Sequence, residues 1–181
     1  KDLNHDGVID SNDQAPIGYN PVPEMTFSLA AGLNWKGIDF SILLQGAARS
    51  SIYLQQDIAW DNFWGNYYEE HIGRWTPETA ATATYPRFTK AATPAHPNYY
   101  KSDYWLKDSK YLRLKNIQLG YTIPRKLLKK FGVRSLRVYA NAYNLFTWDN
   151  VKKVDPESSN NSNGQFYPQQ KVINFGINLN F

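Results

Sequence analysis

The chain has 181 residues, no cysteine and a net charge of +4, with an isoelectric point near 9.1. The lack of cysteine excludes disulfide frameworks, thiolate zinc sites and cysteine nucleophiles, and no apolar run approaches the ~20 residues of a spanning helix, which excludes a helical membrane protein. Aromatic residues make up 15% of the chain although the mean hydropathy is −0.58, a combination that still allows a transmembrane barrel, whose alternating strands look polar on average.

The chain opens at Lys1 with no initiator Met, apolar leader or small-residue cleavage site, so the expectation is a fragment of a longer protein. Residues 1–24 are rich in Asp, Asn, Gly and Pro and read as a loop. Within them Asp2, Asn4, Asp6, Gly7, Val8, Asp10 and Asp13 follow D-x-N-x-D-G-x-I-D-x-x-D, an EF-hand-type calcium loop with Asp in place of Glu at its last position. Calcium is a hard cation that takes about six to eight oxygens. Asp2, Asn4 and Asp6 offer side-chain oxygens at alternate positions and Val8 a backbone carbonyl. Asp10 would bind through water and Asp13 would close the shell, while Gly7 permits the sharp turn and Ile9 anchors the loop to the core. No flanking helices are evident, so the expected role is to stiffen a loop; the alternative is an Asp/Asn/Gly turn that binds nothing.

Five strands are expected, at about 25–36, 38–48, 109–122, 134–147 and 171–181. In the first, Phe27, Leu29, Ala31, Leu33 and Trp35 alternate with Thr26, Ser28, Ala30, Gly32 and Asn34, and in the second Ile38, Phe40, Ile42 and Leu44 alternate with Asp39, Ser41 and Gln45, with Leu43 on the polar side. Lys36-Gly37 reads as the tight turn of a hairpin. A long loop at 49–108 carries Trp60, Trp64, Tyr67, Tyr68, Trp75, Tyr99, Tyr100 and Trp105. These aromatics either stack on cargo or a partner, or pack the loop on itself. In the third strand Ile117, Leu119 and Tyr121 share one face but Leu112 and Leu114 fall on the other, so either a bulge near Asn116 shifts the phase or the upper half projects beyond the membrane. Pro124 suits the first position of a helical turn and Gly132 its C-terminal cap. The fourth strand is ambiguous, with Leu136, Val138, Ala140 and Ala142 opposing Tyr139 and Tyr143. A polar loop at 148–170, holding Asn160, Asn161, Asn163 and Gly164, leads to the last strand, where Ile173, Phe175, Ile177, Leu179 and Phe181 alternate with Asn174, Gly176, Asn178 and Asn180.

The connections alternate long and short, so an up-and-down wall places every long loop on one side and every short turn on the other. Outer-membrane barrels have this asymmetry, with long loops outside and short turns in the periplasm. Trp35, Tyr121 and Phe181 would form an aromatic girdle at the short-turn end, and Asn174, Asn178, Asn180, Asp39, Ser41 and Gln45 would line the lumen or pack against a plug. The fold class expected is therefore all-β: C-terminal antiparallel strands of a large transmembrane β-barrel, with long extracellular loops and a calcium-binding loop. Five strands cannot close a wide barrel and an open edge is forbidden in lipid, so the remaining strands must come from elsewhere. The competing reading is a soluble calcium-stabilised β domain, such as a carbohydrate-binding module.

Residues 2–18 (DLNHDGVIDSNDQAPIG), 111–124 (YLRLKNIQLGYTIP), 144–148 (NLFTW), Asp155-Pro156-Glu157 and 174–181 (NFGINLNF) together resemble the SusC/RagA family of TonB-dependent outer-membrane transporters. The resemblance implies a barrel of roughly 22 strands with a plugged lumen. It implies, as partners, the remaining barrel and plug segments, TonB acting through an N-terminal part, outer-membrane lipid and a SusD-like surface lipoprotein, with an oligosaccharide or peptide as cargo. It also implies that Phe181 resembles the terminal signal read by the barrel-assembly machinery.

No catalytic constellation stands out. His5, His71 and His96 lie far apart, and Glu69-Glu70-His71 has no nucleophile or metal pattern beside it, so an enzyme is not expected. Arg125, Lys126, Lys129, Lys130 and Arg134 form the densest basic run; they occupy one turn and no extended stripe, which points to a solvated turn and away from nucleic acid.

Overall fold

Alternating apolar and small polar residues make the first two long strands, β1 (Met25–Trp35) and β2 (Ile38–Ala48), which pair antiparallel around Lys36-Gly37. Both turn residues have positive φ, 47° and 89°, the geometry whose twist matches that of the flanking strands. The structure is a computed structural model describing residues 2–8, 10–90, 96–158 and 167–181; the readings placed on Ile9, Asn160, Asn161, Asn163 and Gly164 lie outside the described residues.

Two short strands, β3 (Ser51–Tyr53) and β4 (Leu106–Asp108), pair with each other inside the long 49–108 connection. The strands β5 (Tyr111–Thr122), β6 (Ser135–Asp149) and β7 (Val172–Asn180) complete a main sheet of order β1-β2-β5-β6-β7 in which every neighbour is antiparallel. Its long connections therefore share one side and its short turns the other. The second short turn holds a helical turn, α1 (Arg125–Leu128), ended beyond Phe131 by Gly132 at φ 69°. Pro124 is the residue before that helix, one place earlier than the first helical position expected for it.

The pairing resolves the phase of β5 and β6. Below Asn116, Ile117, Leu119 and Tyr121 oppose Ile42, Phe40 and Ile38. At Lys115 the register shifts by one residue, so that Leu44 opposes Leu114 and Gly46 opposes Leu112. The partner strand compensates: Asn116 pairs with Tyr143 but Leu114 pairs with Phe146, and Asn144 takes φ 50° in the kink. A bulge flips the parity of everything beyond it. Here the flips place Leu112, Leu114, Phe146 and Trp148 on the same face as Ile117, Leu119, Val138 and Ala140. With Ile173, Phe175, Ile177 and Leu179 opposite Ala142, Ala140, Val138 and Leu136, one face is apolar from edge to edge.

A soluble sandwich would cover that face with a second sheet. Among the described residues nothing does: β1 is exposed along its whole length, and Phe175 is 83% exposed. The buried hydrophobic cluster lies instead in the long connection, where Ile52, Leu54, Ala59, Trp60, Tyr85, Tyr99 and Trp105 pack with Val151.

Candidate functional site

The polar face of the sheet is as continuous as the apolar one. Asn174, Asn141, Gln118, Ser41 and Gly32 stand in one row across all five strands. Asp39 and Arg137 reach each other over β5, with Arg137 Nε donating to Asp39 Oδ1 at 2.9 Å and Nη2 to Oδ2 at 2.5 Å. Gly120 lies between them, where a Cβ would come within 2.5 Å of both partners. Its missing side chain is what lets an ion pair bridge three strands.

At the long-connection end Arg113 is buried on this face at 2% exposure. Its guanidinium donates to Asp155 at 2.8 Å, to Glu157 at 3.1 Å and to the Thr147 hydroxyl at 3.0 Å, and the Tyr111 hydroxyl donates to Glu157 at 2.6 Å. A buried guanidinium needs such paired acceptors to offset its desolvation. Burial pushes the Asp155 carboxyl up, but the Glu157 N–H, Arg113 and the Gln169 N–H outweigh it and hold the group below its usual 3.8. The Asp155-Pro156-Glu157 motif thus fastens the 150–171 connection to the wall. Sequence reading missed Arg113; its signal was a charge set between Leu112 and Leu114 in an otherwise apolar stretch.

The 49–108 connection forms a packed unit. Trp60, Tyr99 and Trp105 are buried in it, whereas Trp64, Tyr67, Tyr68, Trp75 and Tyr100 are exposed, so the expected aromatic set splits into packing and surface residues. Asp61 is buried and accepts from the hydroxyls of Tyr99 and Tyr85 (3.2 Å) and from the Thr89 N–H (3.3 Å). Burial, reinforced by the Asp61 carboxylate, raises both phenols above their ordinary range. His71 is buried too; its Nδ1 accepts from the Tyr68 N–H at 3.1 Å, leaving Nε2 to donate to the Ala59 carbonyl at 3.2 Å. His96 Nδ1 accepts from the Asn98 N–H, and His5 is exposed at φ 62°. Both imidazoles in the loop unit serve backbone amides, and neither sits with Glu69 or Glu70 as an acid–base pair.

In the first loop Asp2 accepts from the amides of His5 and Gly7 at 2.6 and 2.9 Å, Asp6 from Val8 at 2.8 Å, and Asn4 from Asp6 at 3.1 Å. Asp13 closes the ring by accepting from Leu3 at 2.6 Å and Asp10 at 2.8 Å; those N–H groups of Asp10 and Leu3 hold its carboxyl below the usual 3.8. Gly7 has φ 84°, the left-handed turn the motif demands. Among the described residues no three His, Cys, Asp or Glu side chains converge to hold a metal ion, the carboxylates being turned to the loop's own amides. The donor set of Asp2, Asn4, Asp6, Val8, Asp10 and Asp13 is all oxygen on a ring-closed backbone, which fits a hard cation.

No family model matches the chain. A TonB-dependent receptor of Formosa agariphila is 30% identical over 199 residues, which span 99% of this chain and 19% of the receptor. The TonB-dependent receptor SusC of Bacteroides thetaiotaomicron is 27% identical over 182 residues, 99% of this chain and 17% of SusC. The RagAB peptide importer in its open-open state superposes with a TM-score of 0.68 at 20% identity, over 96% of this chain and 19% of that one. Over nearly its whole length this chain is similar to SusC/RagA-type TonB-dependent receptors. A structure of the RagAB peptide transporter shares the fold with a TM-score of 0.67 at 24% identity, over 89% of this chain and 17% of that one. The segment spans under a fifth of the curated relatives it matches. In a SusC/RagA-type receptor the five-stranded sheet is barrel wall in the outer membrane, and its uncovered apolar face is the lipid face. The family is one of receptors, not enzymes.

Proposed function

We propose that this chain is part of the wall of an energy-coupled outer-membrane importer of oligosaccharides or peptides. TonB drives it through N-terminal segments outside this chain, and a SusD-like surface lipoprotein closes its outer mouth. The long connections, with the 49–108 unit, face outward, and the amide-rich face looks onto a plugged lumen. The observation that carries this reading is the single apolar face kept intact through two bulges, opposite an equally continuous polar face. Buried Oδ1 atoms of Asn116 and Asn141 that lack a donor among the described residues support a neighbour on the polar side, as a plug would be. Uptake of labelled peptides and oligosaccharides by cells with and without the intact receptor tests it. Loss of one class on deletion names the cargo; unchanged uptake of both removes the importer reading.

We further infer that the first loop binds calcium through Asp2, Asn4, Asp6, Val8, Asp10 and Asp13 and thereby stiffens an extracellular loop. The motif spacing, the oxygen donor set and the left-handed Gly7 support it. Titration calorimetry on the intact receptor should show calcium uptake at this loop that disappears in Asp6→Ala; equal uptake by both proteins, or none by either, sinks the assignment.

A further inference from the structure

We propose that the short-turn rim of this wall docks on the anionic phospholipid headgroups of the periplasmic leaflet. The proposal rests on the outer-membrane placement above, with the short turns in the periplasm. Arg125, Lys126, Lys129, Lys130 and Arg134 are all exposed within ten residues, and no acidic residue stands among them. Among the described residues none of the five pairs with a carboxylate.

At the long-connection end of the same sheet several cations do find carboxylates. There Arg49 pairs with Glu24, Lys110 with Asp108, Arg113 with Asp155 and Glu157, and Lys153 with Glu70. At the short-turn end Arg137 is paired with Asp39, but the five cations of the helical turn stand together with no carboxylate partner among the described residues, which leaves them free to meet an anionic surface.

The apolar residues beside these cations point to what supplies it. Leu127 is 65% and Phe131 76% exposed, four residues apart and so on one side of the helical turn, while Leu128 is buried and fixes that turn to the sheet. The turn also grows directly out of the lipid-facing strand ends. Tyr121 pairs with Val138, the Ile123 N–H donates to the Leu136 carbonyl at 2.8 Å, and the Thr122 N–H donates to the Gly37 carbonyl of the neighbouring turn at 2.7 Å. In that neighbour the Lys36 ammonium lies 4.9 Å from the centre of the Trp35 ring. Exposed apolar side chains, interfacial aromatics and unpaired cations, continuous with a lipid face, are the composition of a segment lying at an anionic membrane surface. A merely hydrated turn requires the cations but gives no reason for exposed Leu127 and Phe131.

The intact receptor, reconstituted in nanodiscs of phosphatidylethanolamine with about one fifth phosphatidylglycerol, tests this by native mass spectrometry of retained lipid. Wild type should retain phosphatidylglycerol selectively. The variant carrying Arg125→Gln, Lys126→Gln, Lys129→Gln, Lys130→Gln and Arg134→Gln should lose roughly tenfold of that preference. Equal retention by the two proteins overturns the proposal, whatever else the turn then binds. If the variant fails to assemble, wild type decides alone: its preference must fall as salt rises from about 0.05 to 0.5 M, and salt-independent retention overturns it. A receptor absent from the outer-membrane fraction would instead fail the underlying reading, and is recognised before any lipid is measured.

Discussion

The sheet and the 49–108 unit are both rich in large apolar side chains and dispose of them in opposite ways. The unit folds Trp60, Tyr99, Trp105, Ile52 and Leu54 inward around buried Asp61 and His71 and exposes polar groups and a few aromatics. The sheet turns Phe175, Ile177, Leu119 and Leu33 outward, and among the described residues the buried hydrophobic cluster includes none of its strands. The first arrangement is stabilised by removing apolar area from water within the chain; the second needs lipid on one face and the rest of the barrel at its edges. Aromatic-rich sequence therefore serves two solvents, and the difference tells which part is held by packing and which by the bilayer.

Breaking the comparison at its packed end has the largest expected effect. Trp60→Ala removes the largest fully buried side chain and should destabilise the loop unit by about 3–5 kcal/mol. Limited proteolysis of the intact receptor should then cut within 49–108 while the wall stays resistant. Trp64→Ala, at an exposed position, should leave the digestion pattern as it was. At the lipid end Phe175→Arg should cost about 2–4 kcal/mol and impair insertion, because it places a charge near mid-strand on the lipid face. Asn178→Arg on the polar face of the same strand should insert normally, as read by outer-membrane fractionation and heat-shifted gel mobility; equal behaviour of the two would mean that the faces are misassigned.

The smallest effect is a pH effect at the junction of the two regions. The Asp155 carboxyl is held below its ordinary 3.8 in the folded state, so its contribution is present above that value and lost as pH falls below it. Hydrogen exchange on the intact receptor should show the 150–171 connection loosening below about pH 3.8 before the strands open. An Arg113→Met variant should show that connection loose already at neutral pH.

Much of the wall was legible in the sequence because alternation is a local property. Phe27 to Trp35, Ile38 to Leu44 and Ile173 to Leu179 each announce one apolar face, and the alternation of long and short connections orders the strands. The phase of β5 and β6 was not legible. Whether Leu112 and Leu114 join Ile117 depends on one unpaired residue, Lys115, and on the compensating kink at Asn144, and a bulge exists only relative to a partner strand. The calcium motif could be read from spacing alone, whereas Arg113, Asp155 and Glu157 became one site only when the connection carrying the two acids, 42 and 44 residues further along the chain, was folded onto Arg113.

By itself, then, the sequence determined that this protein is built of two-faced strands with one face fit for lipid, because side-chain parity along an extended chain is fixed by backbone geometry. Only the tertiary structure decided which parity survives past each bulge, which loop aromatics are interior, and which cations find a partner. Those outcomes depend on contacts between residues far apart in the chain, and no local pattern encodes them.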